Sequence, residues 1–275
     1  MSVVLSLLSS VLWGSADFGG GLLSRRLPSY AVVGVSQAFG LVTMAVVAAL
    51  SGGFGEPLGW VPWAVMAGSA GAVGLVCFYT ALGIGTMGVV SPIAALGAIV
   101  PVVVGVASGE QPSMLAAIGV LLALGGAVAA SGPELRGDTG SRPVVLAALA
   151  GVGFGLALLF IAKGAEHSSL MTLVGMRTTS VTAFAVAALV VGSVGGVRAT
   201  HLPSLAAVGI ADATANLVFA VASQMGLISV TSVLSSLYPV TTVLLAWGFL
   251  HERLLRIQQV GVAAALAGVA LVSLG

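Results

Sequence analysis

Three charged residues interrupt long apolar stretches of this chain: Asp17, Arg177 and Asp212. Charge is rare here, because only 6% of the 275 residues are Asp, Glu, Lys or Arg and 59% are hydrophobic. A mean hydropathy of +1.18 lies far above that of a water-soluble domain and indicates an integral membrane protein. An ionised side chain at the bilayer centre costs about 2.5 to 3.5 kcal/mol, so all three need a protein-lined or watery environment and are the leading functional candidates.

Asp17 shares a helical stripe with Ser10, Trp13 and Gly21, since these positions are three or four residues apart. An acid beside an indole in an apolar helix suits a cation or a proton. Removal from water favours the uncharged form of a carboxyl group, so Asp17 is predicted to take up and release a proton. The alternative is a structural Asp17 near its helix end, hydrogen-bonded to a neighbour or to interfacial water.

A second polar stripe joins Asp212, Asn216, Phe219 and Ser223, with Asp212 close to mid-bilayer. Arg177 lies about eight residues into the preceding apolar segment and is its predicted partner. In one interpretation the two form a structural ion pair that orients the helices at a desolvation cost. In the other, Arg177 and Asp212 face a cavity and recognise the carboxylate and ammonium of a zwitterion, since a guanidinium matches a carboxylate bidentately.

Prolines mark two further segments, with Pro92 and Pro101 in one and Pro239 in the other. Interrupted helices at corresponding places in two halves indicate a transport site, although prolines are also common in membrane helices without that role. Under the transport interpretation, the predicted substrate-binding residues are Trp13, Gln37, Tyr79, Ser91, Arg177, Asp212, Asn216, Thr231, Ser235 and Tyr238.

The elements that must position these residues are apolar segments of about 20 residues, the length of a helix that crosses a ~30 Å hydrocarbon core. Their connections are short, and only the stretch 132–142 is clearly polar. We predict an all-α polytopic membrane protein with ten helices, near 3–23, 30–51, 60–82, 86–108, 113–131, 143–163, 169–193, 203–225, 227–250 and 257–274.

Composition argues against several classes of function. Cys77 is the only cysteine, and His167, His201 and His251 stand in separate loops, so no metal site, no cofactor and no enzymatic activity are predicted. The net charge of +1 gives no basic surface for nucleic acid.

Loop charges give one prediction of orientation. Lys163 is the only basic residue in the loops of one side, and the loops of the other carry Arg25, Arg26, Arg136, Arg142, Arg198, Arg253 and Arg256. Basic loops usually face the cytoplasm, which would put both termini on the opposite side.

The chain also contains an internal duplication. At a shift of 142 residues the ends of its two halves superpose without gaps, and the matched pairs are Glu110 with Glu252, Gly119 with Gly261, Val120 with Val262, Ala123 with Ala265, Gly126 with Gly268 and Ser131 with Ser273. We predict a first five-helix repeat over 1–132, a polar linker over 133–142 and a second repeat over 143–275. Because each repeat has an odd number of helices, the two are inverted, and the substrate site belongs at their interface. Glu110 and Glu252 are predicted mainly as helix caps.

Particular residues resemble a known family: Leu12-Trp13-Gly14-Ser15, Gly109-Glu110 and His251-Glu252-Arg253. With ten helices in two halves, the chain resembles the EamA-type branch of the drug/metabolite transporter (DMT) superfamily over its whole length. The resemblance implies helices 1–4 and 6–9 around a central cavity, helices 5 and 10 at the sides, and both termini in the cytoplasm, which disagrees with the loop charges. The chain departs from the family pattern at two positions. Gln37 stands where an arginine is common, and Gly153 stands where the second half could have repeated Trp13.

The functional prediction is a secondary active transporter, an exporter or exchanger of a small zwitterionic or cationic metabolite such as an amino acid, working without ATP by alternating access. The alternatives are a proton-coupled exporter of hydrophobic cations or drugs, as in the small multidrug resistance branch, and a passive channel. The predicted partners are a small-molecule substrate, protons and the lipid bilayer. We expect a monomer in a prokaryotic inner or plasma membrane.

Overall fold

The computed structural model of the chain describes residues 1–85, 87–130, 141–250 and 255–274. Most of the predicted linker and the motif residues His251, Glu252 and Arg253 lie outside these ranges, as does Ser131. The described residues form helices and short connections, as expected in lipid, where a helix satisfies its own backbone hydrogen bonds.

The helices are α1 (Ser2–Ser24), α2 (Ser29–Ser51), α3 (Val61–Ile84), α4 (Met87–Ala95), α5 (Ile99–Ala107), α6 (Met114–Ala130), α7 (Ser141–Val191), α8 (Leu202–Ser223), α9 (Ile228–Ser235), α10 (Tyr238–Leu250) and α11 (Arg256–Leu274). Short 3-10 turns occur at Gly53–Gly55, Leu58–Trp60, Leu96–Ala98 and Ala199–His201.

Within the described ranges, six helical segments are long and apolar enough to cross a membrane: Ser2–Ser24, Ser29–Ser51, Leu58–Ile84, Ser141–Val190, Ala199–Ser223 and Ile228–Phe249. Three shorter apolar helices accompany them, at Ile93–Ala107, Met114–Ala129 and Gln259–Val272. The chain is therefore a multi-pass, all-helical membrane protein.

The long helix α7 bends at Ser168, whose φ of −161° and ψ of 112° are extended rather than helical. The Ser168 hydroxyl accepts a hydrogen bond from the Met171 amide at 3.3 Å, the geometry of an N-cap that starts a new helical arm. Gly164 in the first arm lies against Thr172 in the second. The sequence predicted a loop between two segments here, and the structure reduces that loop to one extended residue.

The two proline-containing segments are each broken into two helices in the structure. The turn Leu96–Ala98 separates α4 from α5, and Ser236 and Leu237 separate α9 from α10. Each break leaves a proline in the first turn of the helix that follows, Pro101 in α5 and Pro239 in α10. A proline is tolerated there because its missing N–H would have no intrahelical acceptor.

The helices α6 and α11 pack against each other through small residues. A Cβ added to Gly119 would lie 2.8 Å from the Gly268 carbonyl oxygen, and one added to Gly268 would lie 2.5 Å from the Ala123 amide nitrogen. Gly126 faces the Ala265 backbone in the same way. Backbones approach this closely only where side chains are absent.

This packing predicts different effects of substituting two adjacent glycines of α6. We expect Gly126→Ala to destabilise the protein by roughly 1 to 3 kcal/mol, since its methyl group would press on the α11 backbone. Gly125→Ala is the matched control, because nothing lies within 4 Å of its added Cβ. Thermal unfolding midpoints in detergent measure both, and equal midpoints would contradict the close α6–α11 contact.

Candidate functional site

A central cavity with about 700 Å³ of empty space, including its open mouth, lies between the two halves. Its walls come from α1 to α4, the Leu96–Ala98 turn, α7, α8, the α9–α10 break and the start of α10, whereas α6 and α11 contribute no lining residue among those described. Most of the wall is apolar, with Leu75, Phe154, Leu158 and Ile161 among its larger side chains. The charged groups are few and lie in two places.

The first place is the guanidinium of Arg177, whose side chain on α7 is 1% exposed. Its Nη2 donates to Asp212 Oδ2 on α8 at 2.7 Å, and its Nη1 donates to Gln37 Oε1 on α2. The Nε of Arg177 has no hydrogen-bond partner among the described residues. One buried cation therefore ties three helices together.

Neighbouring amides and hydroxyls complete this network. The Ser180 hydroxyl donates to Gln37 Oε1 at 2.9 Å, so that oxygen receives two donors and the Gln37 amide must turn its oxygen toward Arg177. Asn216 lies one turn after Asp212 and donates to its backbone carbonyl at 2.7 Å and to Oδ1 at 3.3 Å. These bonds orient the Asp212 carboxylate toward the arginine.

The second place is Asp17 on α1, which lines the cavity and is 8% exposed. Its carboxylate has no hydrogen bond or ion pair within the described part of the chain. Asp17 lies close enough to Asp212 for the two carboxylates to repel each other when both are ionised. With Arg177 paired to Asp212, the ionised cavity carries one uncompensated negative charge.

Aromatic residues also line the cavity. Trp13 lines the cavity one helical turn before Asp17 and packs on Phe219 at 5.9 Å between ring centroids. Tyr238, in the first turn of α10, packs edge-on against Phe78 at 6.2 Å, and its buried hydroxyl has no partner among the residues described. The faces of such rings attract cations.

The structure brings most of the predicted site residues together. Those lining the cavity are Trp13, Asp17, Gln37, Arg177, Asp212, Asn216 and Tyr238.

Four predicted residues do not line the cavity: Tyr79, Ser91, Thr231 and Ser235. Thr231 donates to the Leu227 carbonyl at 3.0 Å, and Ser235 donates to the Ser6 carbonyl at 3.3 Å. Tyr79 packs its ring over Gly20 of α1, and Ser91 is buried in α4.

The lining also includes Ser180 and Ser236, which the prediction omitted. Both left a signal in the sequence. Ser180 follows Arg177 by three residues and so shares its helix face. The shift of 142 residues takes Ala94 to Ser236, and both positions line the cavity.

Comparison with known proteins agrees with this architecture. The model of the EamA-like transporter family matches twice, over residues 1–132 and 141–274. Among 23 matching chains of solved structures, one titled only "Crystal structure of protein" has a TM-score of 0.80 and 17% sequence identity, with 99% of this chain and 96% of that chain covered. No curated protein matches the sequence. At that identity the solved structure supports the fold, and the family model supports the function: the chain belongs to the EamA-like transporter family, membrane proteins that transport small molecules.

Proposed function

We propose that this chain is a secondary active transporter that exports or exchanges a small cationic or zwitterionic metabolite, such as an amino acid. The single observation that carries the proposal is the charge of the cavity. Among the described residues, the acidic and basic side chains that line it are Asp17, Arg177 and Asp212, which leaves one negative charge in excess when all three are ionised. In surroundings of low dielectric constant this excess must be balanced by a proton or by a cation.

The hydrogen bonds that Arg177 already makes favour a substrate that is recognised mainly through a positively charged group. Both terminal nitrogens of Arg177 are already bonded, to Gln37 and Asp212. A substrate carboxylate would have to replace one of these acceptors, whereas a substrate ammonium finds Asp17 without a partner. A zwitterion can satisfy both places, with its ammonium at Asp17 and its carboxylate at the edge of the arginine network.

Competition between a proton and the substrate for Asp17 gives a simple basis for coupling substrate transport to proton movement. When a proton and a cationic substrate cannot occupy the same carboxylate together, binding of one releases the other. Repeated on opposite sides of the membrane, this exclusion exchanges protons for substrate without ATP. Trp13, one turn away, supplies an aromatic wall for the substrate cation.

For the membrane topology we propose ten spans in two inverted halves, 1–132 and 143–275, joined by the linker 133–142. At 51 residues α7 would be about 77 Å long if straight, far more than a ~30 Å hydrocarbon core, and its bend at Ser168 supports counting it as two spans. Beyond the six long segments, α4 and α5 together form one span, and α6 and α11 form one span each. Alternating access would then be a movement of one half against the other around the shared cavity.

The proposal extends to the setting of the protein. We propose a monomer, because the cavity is formed within one chain, and a prokaryotic inner or plasma membrane. For the termini, the loop arginines and the family resemblance predict opposite orientations.

A second candidate is a proton-coupled exporter of hydrophobic cations. The observation that favours it is the apolar wall around Asp17, which includes Phe154 and Leu158. A passive channel is the third possibility. The three differ in substrate and in kinetics, so one experiment separates them.

Counterflow in proteoliposomes tests the proposal. Vesicles loaded with unlabelled amino acids, one at a time, are diluted into the same labelled compound at a concentration below saturation. A carrier should accumulate label transiently above equilibrium, and the effect should saturate with concentration. Monotonic equilibration would indicate a channel, and counterflow only with a lipophilic cation such as tetraphenylphosphonium would favour the second candidate.

The first prediction for the site concerns Asp17→Asn. The asparagine keeps the size and hydrogen bonding of the side chain but cannot ionise. We expect substrate-driven pH changes in proteoliposomes to disappear and affinity for cationic substrates to fall about tenfold or more, since a bond to a charged group contributes about 1.5 to 3 kcal/mol. Glu166→Asn is the control, because Glu166 forms a surface pair with Lys163. Unaltered proton coupling in Asp17→Asn would refute the role of Asp17.

The second prediction concerns the ion pair. Arg177→Gln or Asp212→Asn alone leaves an unpaired buried charge, which costs about 3 to 5 kcal/mol. The double variant Arg177→Gln/Asp212→Asn should recover thermal stability in detergent, and saturable uptake should remain lost if the pair serves the substrate. Recovery of stability and uptake together would mean that the pair is only structural.

A further inference from the structure

The end of α5 has a defined turn that fixes the backbone of Glu110. Gly109 adopts a left-handed conformation with φ of +97°, and its amide donates to the Val106 carbonyl at 3.0 Å. The Glu110 amide donates to the Gly105 carbonyl at 3.0 Å. Helices commonly end in a left-handed glycine with such paired hydrogen bonds. This ending fixes the backbone of the next residue, from which the Glu110 side chain extends.

The Glu110 carboxylate crosses from the first half of the chain to the second. Oε1 accepts a hydrogen bond from the Ile228 amide at 2.6 Å, and Oε2 accepts one from the Ser229 amide at 3.0 Å. These are the first two residues of α9, so Glu110 caps a helix 118 residues away. Its own next helix, α6, is capped instead by Ser113, whose hydroxyl accepts from the Ala116 amide at 3.0 Å.

α9 is short and has no side-chain cap of its own. It has eight residues, and its N-cap residue, Leu227, makes no side-chain cap. Helices of this length are marginal alone, and their first amides need acceptors. A carboxylate supplies two acceptors and a negative charge at the positive end of the helix dipole.

Gly105 provides the room for this contact. A Cβ at Gly105 would lie 2.9 Å from the Glu110 carboxyl carbon and 3.0 Å from Ile228 Cγ2. The end of α5, the carboxylate and the start of α9 therefore form one tight junction between the halves.

The far end of α9 meets the cavity. The helix ends at Ser235, and the next residues that line the cavity are Ser236 and Tyr238. Eight helical residues span only about 12 Å, so a displacement of α9 at its first turn also moves its far end, next to these two residues. We infer that Glu110 is a positioning residue for transport: it clamps the start of α9 and thereby sets where Ser236 and Tyr238 stand in the cavity. The inference rests on the proposed function only in taking this cavity as the transport site.

The test uses the full-length protein in detergent and needs no substrate. Glu110→Gln replaces one acceptor oxygen by an NH₂ group that cannot accept, and Glu110→Asp keeps both oxygens on a shorter arm. Hydrogen–deuterium exchange at the first turn of α9 should become about tenfold faster in Glu110→Gln and less so in Glu110→Asp. Glu166→Gln, a neutralised acid of an exposed ion pair, should exchange like the native protein at these amides.

A second readout connects the clamp to the cavity. In a Cys77→Ala background, Ser236→Cys and Met176→Cys each place one thiol in the lining, on the α9–α10 break and on α7. With 2-aminoethyl methanethiosulfonate as the probe, Glu110→Gln should change the modification rate at position 236 at least about threefold and leave that at position 176 unchanged.

Three results would overturn the inference: unchanged exchange at the start of α9 in Glu110→Gln, faster exchange without a changed rate at position 236, or equal changes at positions 236 and 176, which would mean general loosening. If Glu110→Gln does not fold, Glu110→Asp decides by the same criteria. Because neither readout involves transport, a negative counterflow experiment would refute the proposed function and leave this result standing.

Discussion

The Arg177 guanidinium is the one group that most of the site depends on. A cation buried to this degree is tolerable only when charge and hydrogen bonds compensate it, and here the compensation comes from two other helices, through Asp212 on α8 and Gln37 on α2. Ser180 and Asn216 then hold those two acceptors in place. The requirement to neutralise one side chain thus fixes three helices relative to one another on one wall of the cavity.

That constraint also explains why Asp17 differs from Asp212. Both are carboxylates at one cavity, and Arg177 compensates only the one it contacts. Gln37 contributes an acceptor without adding charge, so it strengthens the arginine network and leaves the charge balance unchanged. Asp17 is therefore the carboxylate that the proposed mechanism assigns to a proton or a cationic ligand, and the neutral Gln37 is part of the reason.

Much of this arrangement could be predicted from the sequence, because ionisable residues in apolar segments have few permissible environments. Asp17, Arg177 and Asp212 were identified in that way, and the pairing of the last two followed from their signs. The exact positions of the helix breaks were harder to predict from the sequence. Pro101 and Pro239 indicated interruptions, but each break falls just before the proline. Thr231 and Ser235 lie outside the lining, and the sequence could not show this because a buried hydroxyl bonded to a backbone carbonyl has the same sequence pattern as one that lines a cavity. The contact from Glu110 to α9 joins residues 118 apart, and local periodicity carries no information about it.

The unequal distribution of charge between the two halves has a consequence for energetics. In a transporter made of two identical inverted halves, a two-fold rotation would relate the states open to either side, and the two would have equal free energy. Here the first half contributes one carboxylate to the cavity, and the second contributes the arginine and its acid. Under the proposed alternating access, this asymmetry removes the degeneracy: the empty protein would rest with its cavity open to one side, and a membrane voltage acting on the cavity charge would shift that preference.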